Sequence, residues 1–323
     1  MAKWILVTGG AGYVGSVVVD ELLAEGHRVR AFDSLLHGSV PSLLQSWGDD
    51  RFQFMRGDVR DAAARQEALA DVEAVLHLAA IVGDPACSRE PDAAREVNVE
   101  GTRGLLDDAE RAGVQRCVIA STCSNYGKMA DNDVYATEEF DLRPVSLYAE
   151  TKVAAELDAL ARADHFATCC LRFATVYGVS PRMRFDLTVN EFTREVALGK
   201  ELVVFGEQFW RPYVHVRDAA RAARLALSAP LEQVRGEVFN VGSTDENYRK
   251  LDLVELLKLR DPSAKISFVH KDEDPRDYRV SFEKVKERLG FDVARSVDDG
   301  IGEVMTLLES GFLVDPYAPI YQN

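Results

Sequence analysis

A short glycine-rich turn, set between an apolar run and an amphipathic stretch, constrains this chain more than any other feature. Lys3-Trp4-Ile5-Leu6-Val7-Thr8 reads as a buried parallel strand, and Gly9-Gly10-Ala11-Gly12-Tyr13-Val14-Gly15 follows it directly. Val17, Val18, Leu22 and Leu23 then carry a helical pattern, Gly26 ends it, and His27 to Asp33 reads as a second strand ending in an acid. Strand, glycine turn, helix, strand and acid, in that order, form the dinucleotide-binding fingerprint in the context it needs. Glycines let the backbone turn tightly and approach a pyrophosphate. The helix start offers unpaired N–H groups and a positive dipole end. Gly9, Gly12, Tyr13, Val14 and Gly15 are therefore the expected contacts around the cofactor's phosphates. Asp33 lies 18 residues beyond Gly15, where a carboxylate accepts hydrogen bonds from adenosine ribose hydroxyls. It also repels a 2′-phosphate, and Ser34, Leu35 and Leu36 supply no arginine to offset that repulsion. The expected cofactor is NAD.

Two later segments fit the same reading. Phe52 to Val59 is a strand running into Asp58, placed for the adenine amino group, with Val59 beside it. Ala74-Val75-Leu76-His77-Leu78-Ala79-Ala80 is a buried strand ending in small residues, so Leu78, Ala79 and Ala80 are expected to lie against the flat cofactor. His77 falls inside the apolar run and reads as a packed strand residue. A helix over Arg95 to Arg111, a strand over Gln115 to Ser121, a helix over Glu150 to Asp164 and a strand over Thr168 to Phe173 continue the alternation. Alternation of this kind predicts an α/β fold, a Rossmann-type doubly wound parallel sheet with helices on both faces. After Tyr177-Gly178 the rhythm breaks into shorter elements. The expected division is a dinucleotide-binding domain over 1–175, with 214–240 returning to it, and a smaller mixed α/β substrate lobe over 176–323.

Charge narrows the partners. Lys and Arg number 38 against 53 Asp and Glu, a net −15, which argues against nucleic acid or an anionic membrane as partner. Five cysteines lack metal-ligand spacing and read as reduced thiols, so no metal is expected and the chain reads as cytoplasmic. Neither a signal peptide nor a membrane-spanning run is visible.

The chemistry is expected at Tyr148-Ala149-Glu150-Thr151-Lys152. A phenol and an ammonium four residues apart share one helix face. A cation beside a phenol favours the phenolate and is expected to lower its pKa toward neutral. A Tyr so tuned takes a proton from a sugar hydroxyl as a hydride leaves the same carbon.

Thr8-Gly9-Gly10-Ala11-Gly12-Tyr13-Val14-Gly15, Asp58, Ser121-Thr122, Tyr148 with Lys152, and Leu171-Arg172-Phe173 together resemble the extended short-chain dehydrogenase/reductases, the NAD-dependent epimerases, dehydratases and reductases of nucleotide sugars. The resemblance covers nearly the whole chain. Its narrower motifs, around Ser180 to Leu187, Trp210 to Asp218 and Arg276 to Ser281, look nearest to GDP-heptose 4-oxidoreductase-like members. It implies that Thr122 hydrogen-bonds the reacting oxygen and that the substrate is a nucleotide-diphosphate sugar. It also implies two arginines on the diphosphate, Arg211 and either Arg276 or, by strict count, Lys271, with Arg276 favoured because a guanidinium grips phosphate bidentately. Asn190 is a further expected diphosphate contact, and Ser124, Thr175 and Arg184 are expected to face the substrate, with Arg182 unranked beside Arg184. Dehydratases of this kind carry Asp-Glu directly after the catalytic Thr. Cys123 and Ser124 stand there instead, so 4,6-dehydration is not expected, and Cys123 reads as a small buried thiol. Thr175 replaces a frequent Asn. The expected reaction is hydride transfer at sugar carbon 4, with 4-epimerase ahead of 4-dehydrogenase and 4-ketoreductase. A non-catalytic regulator on this fold would be expected to lack Tyr148 or Lys152. A homodimer is implied, paired through the Tyr/Lys helix and the helix before the Thr122 strand, with Val97, Leu105, Val153 and Leu157 as its apolar residues.

Overall fold

The computed structural model describes residues 3–38, 40–129, 134–272, 274 and 276–323. In chain order the strands are β1 (Trp4–Thr8), β2 (Val29–Asp33), β3 (Phe52–Arg56), β4 (Val72–His77), β5 (Arg116–Thr122), β6 (Ala167–Phe173), β7 (Thr175–Tyr177), β8 (Leu202–Phe205), β9 (Trp210–His215), β10 (Glu237–Val241), β11 (Asn247–Arg249) and β12 (Ile266–Val269). Seven of them form one parallel sheet in the order β3-β2-β1-β4-β5-β6-β10. The apolar run of β6 is buried along its whole length because helices cover both faces of the sheet. The winding reverses direction between β1 and β4, which opens a crevice beyond the C-terminal ends of those strands.

A second lobe holds the small sheets β11-β9-β7 and β12-β8. The chain does not stay there. From β9 it runs into the Val216–Ser228 helix, which packs on the Tyr13–Ala24 helix, and β10 then joins the edge of the main sheet beside β6. Among the described residues no helix is long and apolar enough to cross a membrane. All five cysteines are buried and free.

The single helix expected over Arg95 to Arg111 is interrupted. Pro91–Arg95 and Thr102–Arg111 are α-helical, and Glu96–Gly101 between them is a π-turn. The extra residue turns Asn98 inward. Its Oδ1 accepts from the Ile81 N–H at 2.8 Å, and its Nδ2 donates to the Ile81 carbonyl at 2.9 Å and to Thr151 Oγ1 at 3.1 Å. Asn98 therefore ties the loop after β4 to the Leu147–Leu160 helix. Of the residues expected to pair two chains, Leu105 is 1% exposed and belongs to the core under the sheet, whereas Leu157 is 58% exposed. Leu105 is thus unavailable to a partner, because the π-turn and the sheet already cover it.

The same helix is anchored from below by a buried ion pair. Glu156, one turn past Lys152, meets Arg172 of β6 at 2.5 Å and accepts from Ser121 Oγ of β5 at 2.6 Å. Arg172 Nη1 donates to the Tyr126 hydroxyl at 2.8 Å, and that hydroxyl donates to Asn240 of β10 at 2.7 Å. This network explains the Leu-Arg-Phe motif: the arginine registers the helix against three strands. Glu156→Gln leaves a buried guanidinium uncompensated and is expected to lower unfolding free energy by about 3–5 kcal/mol. Chemical denaturation checks this, and an unchanged midpoint would contradict it.

Candidate active site

The glycine turn is a cradle without room for side chains. Gly9 has φ +70°, and a Cβ there would lie 2.8 Å from the Ala79 backbone nitrogen. A Cβ on Gly12 would lie 3.0 Å from the Gly9 carbonyl oxygen, and one on Gly15 only 2.0 Å from the same atom. β1, β4 and the Tyr13–Ala24 helix thus meet backbone to backbone, which is the surface a dinucleotide needs. Leu78 N–H donates to the Thr8 carbonyl at 3.1 Å and Ala79 N–H to Thr8 Oγ1 at 3.3 Å, so Leu78, Ala79 and half-buried Ala80 form the facing wall. His77 is buried between Thr8 Oγ1 at 2.7 Å and Thr102 Oγ1 at 2.8 Å. Burial, then the Lys152 charge, pushes it down to about 3, so it is neutral and structural.

Asp33 ends β2 at this crevice. Its two oxygens accept from the Ala11 N–H at 3.0 Å and the Leu35 N–H at 2.8 Å, while burial raises its pKa. Each oxygen keeps a lone pair for a ribose hydroxyl. Asp58 is engaged by Arg60, with Nη2–Oδ2 at 2.7 Å and Nε–Oδ1 at 3.0 Å, a contact its sequence neighbourhood did not announce. Val59 is buried and its carbonyl accepts from Arg65 Nη1 at 2.7 Å, while Val14 is half-buried in the first turn of its helix.

One expected ligand contact points elsewhere. The Tyr13 hydroxyl donates to the Gly178 carbonyl at 2.7 Å and accepts from Asn190 Nδ2 at 3.2 Å. Asn190 is fully buried. Its Oδ1 accepts from the Gly178 N–H at 2.9 Å and its Nδ2 also donates to the Arg184 carbonyl at 2.9 Å. The expectation that Asn190 grips a diphosphate gives way, because its amide already satisfies a buried loop. The Tyr13 phenol is turned into the same loop, and its backbone opens the helix after the glycine turn. Ser180 Oγ completes this clip by donating to the Tyr13 carbonyl at 2.6 Å, so the Gly178–Arg184 loop is fastened to the helix that follows the glycine turn.

Thr122 closes β5, and its Oγ1 accepts from the Ser124 N–H at 3.1 Å. Ser146 caps the Leu147–Leu160 helix by accepting from the Ala149 N–H, so Tyr148 stands in the first turn and Lys152 one turn on. Tyr148 is half-buried and Lys152 is 4% exposed. The phenol's pKa is raised, not lowered as expected. Burial raises it, Cys87 and Asp84 add to the rise, and Arg184 opposes them. Burial also pushes the Lys152 ammonium down to about 8. Loss of water therefore outweighs Arg184 at the phenol, and Cys170 and Glu156 at the ammonium.

The second lobe brings a charged cluster to the other side of the crevice. Arg211 Nη2 meets Asp274 at 2.8 Å, Arg276 Nε lies 3.7 Å from Asp274, and Lys250 Nζ lies 3.8 Å from it. Three cations thus gather around one carboxylate. Lys250 and Asp274 were missed by sequence reading, which had no local pattern to single them out. Lys271 points away, its ammonium over the Phe205 ring. Arg276 Nη1 also reaches across to Asp84 at 2.8 Å, and Asp84 lies in the Asp84–Arg89 helix after β4. Tyr278, also missed, has its hydroxyl 3.4 Å from Ser124 Oγ. Arg184 forks onto Asp186, with Nε–Oδ1 at 2.9 Å and Nη2–Oδ2 at 2.5 Å. Thr175 is half-buried in β7 opposite Tyr213. Cys123 is buried with its Sγ on the Arg172 carbonyl at 3.1 Å, and burial pushes the thiol well up, so it is an inert core residue here.

Residues 5–242 match the NAD dependent epimerase/dehydratase family. The chain is 29% identical to a UDP-glucose 4-epimerase of Bacillus subtilis over 91% of this chain and 94% of that one. It is 32% identical to a dTDP-glucose 4,6-dehydratase of an Actinoplanes species, covering 93% and 96%. The solved structure of a UDP-glucuronic acid 4-epimerase from Bacillus cereus, in complex with UDP-glucuronic acid and NAD, superposes with a TM-score of 0.84 at 25% identity, covering 96% of this chain and all 100% of that one.

Proposed function

The chain belongs to the NAD-dependent epimerase/dehydratase family, and from that premise we propose that it is a nucleotide-sugar 4-epimerase. Its cofactor is NAD, and its substrate is a nucleotide-diphosphate sugar. The observation that supports the reading is Tyr148 and Lys152 one turn apart on an anchored helix that packs on β5, the strand Thr122 closes, with the Lys152 charge acting on His77 at the end of β4. The cradle and the Asp33 carboxylate fit NAD, which when bound would supply the hydride acceptor. Tyr148 takes the proton of the carbon-4 hydroxyl and returns it to the keto oxygen. Thr122 orients that oxygen by donating to it or accepting from it. Lys152 holds the ribose beside the phenol and favours its ionised form. Arg211, Arg276 and Lys250 hold the diphosphate, exchanging Asp274 for phosphate oxygens.

Net 4-dehydrogenation or 4-ketoreduction of a hexose or heptose would use the same residues, differing only in whether the keto-sugar leaves or enters. Elimination of the 6-hydroxyl finds no carboxylic acid directly after Thr122, since Cys123 is buried against a carbonyl and Ser124 faces Tyr278. The test is incubation of the NAD-loaded protein with UDP-, dTDP-, GDP- and CDP-sugars, recording epimer ratio and NADH absorbance together. Epimer formation without accumulating NADH is expected. Net NADH with no epimer would replace epimerase by dehydrogenase, and inertness toward every sugar would remove the reading.

A further inference from the structure

We infer that Asp84 is a positioning residue of this site: it clasps Arg276 from the other lobe, so that a diphosphate held by the second lobe is tied to the helix bearing Tyr148. This rests on the nucleotide-sugar reading above.

The clasp joins the lobes. Arg276 belongs to the second lobe, and its Nη1 donates to Asp84 Oδ2 of the first lobe at 2.8 Å. A guanidinium carries five N–H groups in a rigid fork. Asp84 takes one of them. Nε faces Asp274, whose nearer oxygen lies 3.7 Å away, longer than a hydrogen bond. Asp274 is held more closely by Arg211, at 2.8 Å. Arg276 is therefore aimed by Asp84 into the cation cluster and is only loosely engaged there. When phosphate oxygens take the place of Asp274, the fork can receive them while Nη1 stays on Asp84.

Behind Asp84 the connection is continuous. Asp84 is set between Gly83, at φ +93°, and Pro85, which leave its backbone few alternatives. It opens the Asp84–Arg89 helix, which packs on the Leu147–Leu160 helix. Cys87 in that short helix is buried, and its Sγ donates to the Ile81 carbonyl at 3.4 Å. Asn98 grips Ile81 through both its N–H and its carbonyl, and also holds Thr151 Oγ1, next to Lys152. The phenol registers Asp84 as well: Cys87, Asp84 and Tyr278 oppose ionisation of Tyr148, and Arg184 favours it. Asp84 thus meets the diphosphate end through Arg276 and bears on the phenol through its charge. Stability alone does not account for the pair. Arg276 and Asp84 keep 42% and 27% of their side chains exposed, and ion pairs so placed add little to folding.

The experiment is a double-mutant cycle on the NAD-loaded protein, with Asp84→Asn, Arg276→Gln and the two combined. Calorimetric Kd is measured for UDP, dTDP, GDP and CDP, and the tightest of the four is followed through the cycle, with a thermal melt of each variant. Asp84→Asn is expected to weaken that diphosphate by about tenfold, within the range for coupled neighbours, although it removes no group that touches phosphate. Added to Arg276→Gln, it is expected to weaken binding no further, whereas independent losses would add. Melting temperatures are expected to stay close to wild type. The sugar nucleotide of the same base is expected to show a matching rise in KM, and Asp84→Glu, which keeps the carboxylate, to recover part of it. Wild-type affinity in Asp84→Asn, or losses that add in the double variant, overturn the inference and leave the nucleotide-sugar reading in place. Failure of all four diphosphates to bind the wild type removes both.

Discussion

Tyr148→Phe is expected to lower turnover by about 10²–10⁴-fold, the range for losing a positioned acid–base group, while leaving NAD affinity as it was. The substitution removes one hydroxyl from a half-buried ring and keeps the ring. The helix around it stays fixed by the Ser146 cap and by the Glu156–Arg172 pair, so the effect reports chemistry and not folding. Burial makes the phenol harder to ionise than it is in water. Steady-state kinetics on the active sugar and calorimetry with NAD are the two measurements. Turnover equal to wild type in the Phe variant would end the proposed mechanism.

Gly15→Ala is expected to weaken NAD binding by about 10²-fold or more, a displacement of about 1 Å being enough for such losses. The added methyl would stand 2.0 Å from the Gly9 carbonyl oxygen and 2.8 Å from the Gly10 Cα. Both are backbone atoms of the cradle, so no side chain can swing aside. Relief requires the helix to move off the turn, which withdraws its N–H groups from the phosphates. The same overpacking is expected to cost about 1–3 kcal/mol of stability. Titration of NAD into the variant, with a thermal melt alongside, separates the two effects. Wild-type affinity in the variant would show that the turn does not hold the cofactor.

The main sheet and the cradle were legible from residues alone because their signals are local. β1, the glycine turn, the helix and Asp33 lie within one stretch, and each residue type is dictated by its own backbone. Tyr148 and Lys152 were legible for the same reason, being one turn apart. What escaped was assembled from distance. Lys250 and the Asp274–Tyr278 stretch come from separate segments of the second lobe, and Asp84 from the short helix after β4. None has a periodicity that marks it. Asn190 shows the opposite error: its type suits a ligand, yet a loop from the second lobe claims its amide. The sign of the Tyr148 shift was also out of reach, since it depends on how much water three dimensions leave around a phenol.

The return of the chain through β10 has a consequence for how the molecule can be divided. A fragment ending near Thr175 would contain the cradle and the Tyr/Lys helix, yet β6 would lose its neighbour along Cys169–Phe173. It would present bare N–H and C=O groups to any passing strand, an invitation to aggregate. It would also lose Asn240, the far end of the polar chain that runs through Tyr126 and Arg172 to the helix bearing Lys152. The two lobes are therefore interlaced and not strung in tandem, and neither can be inherited, excised or exchanged as a cassette without unmaking the other.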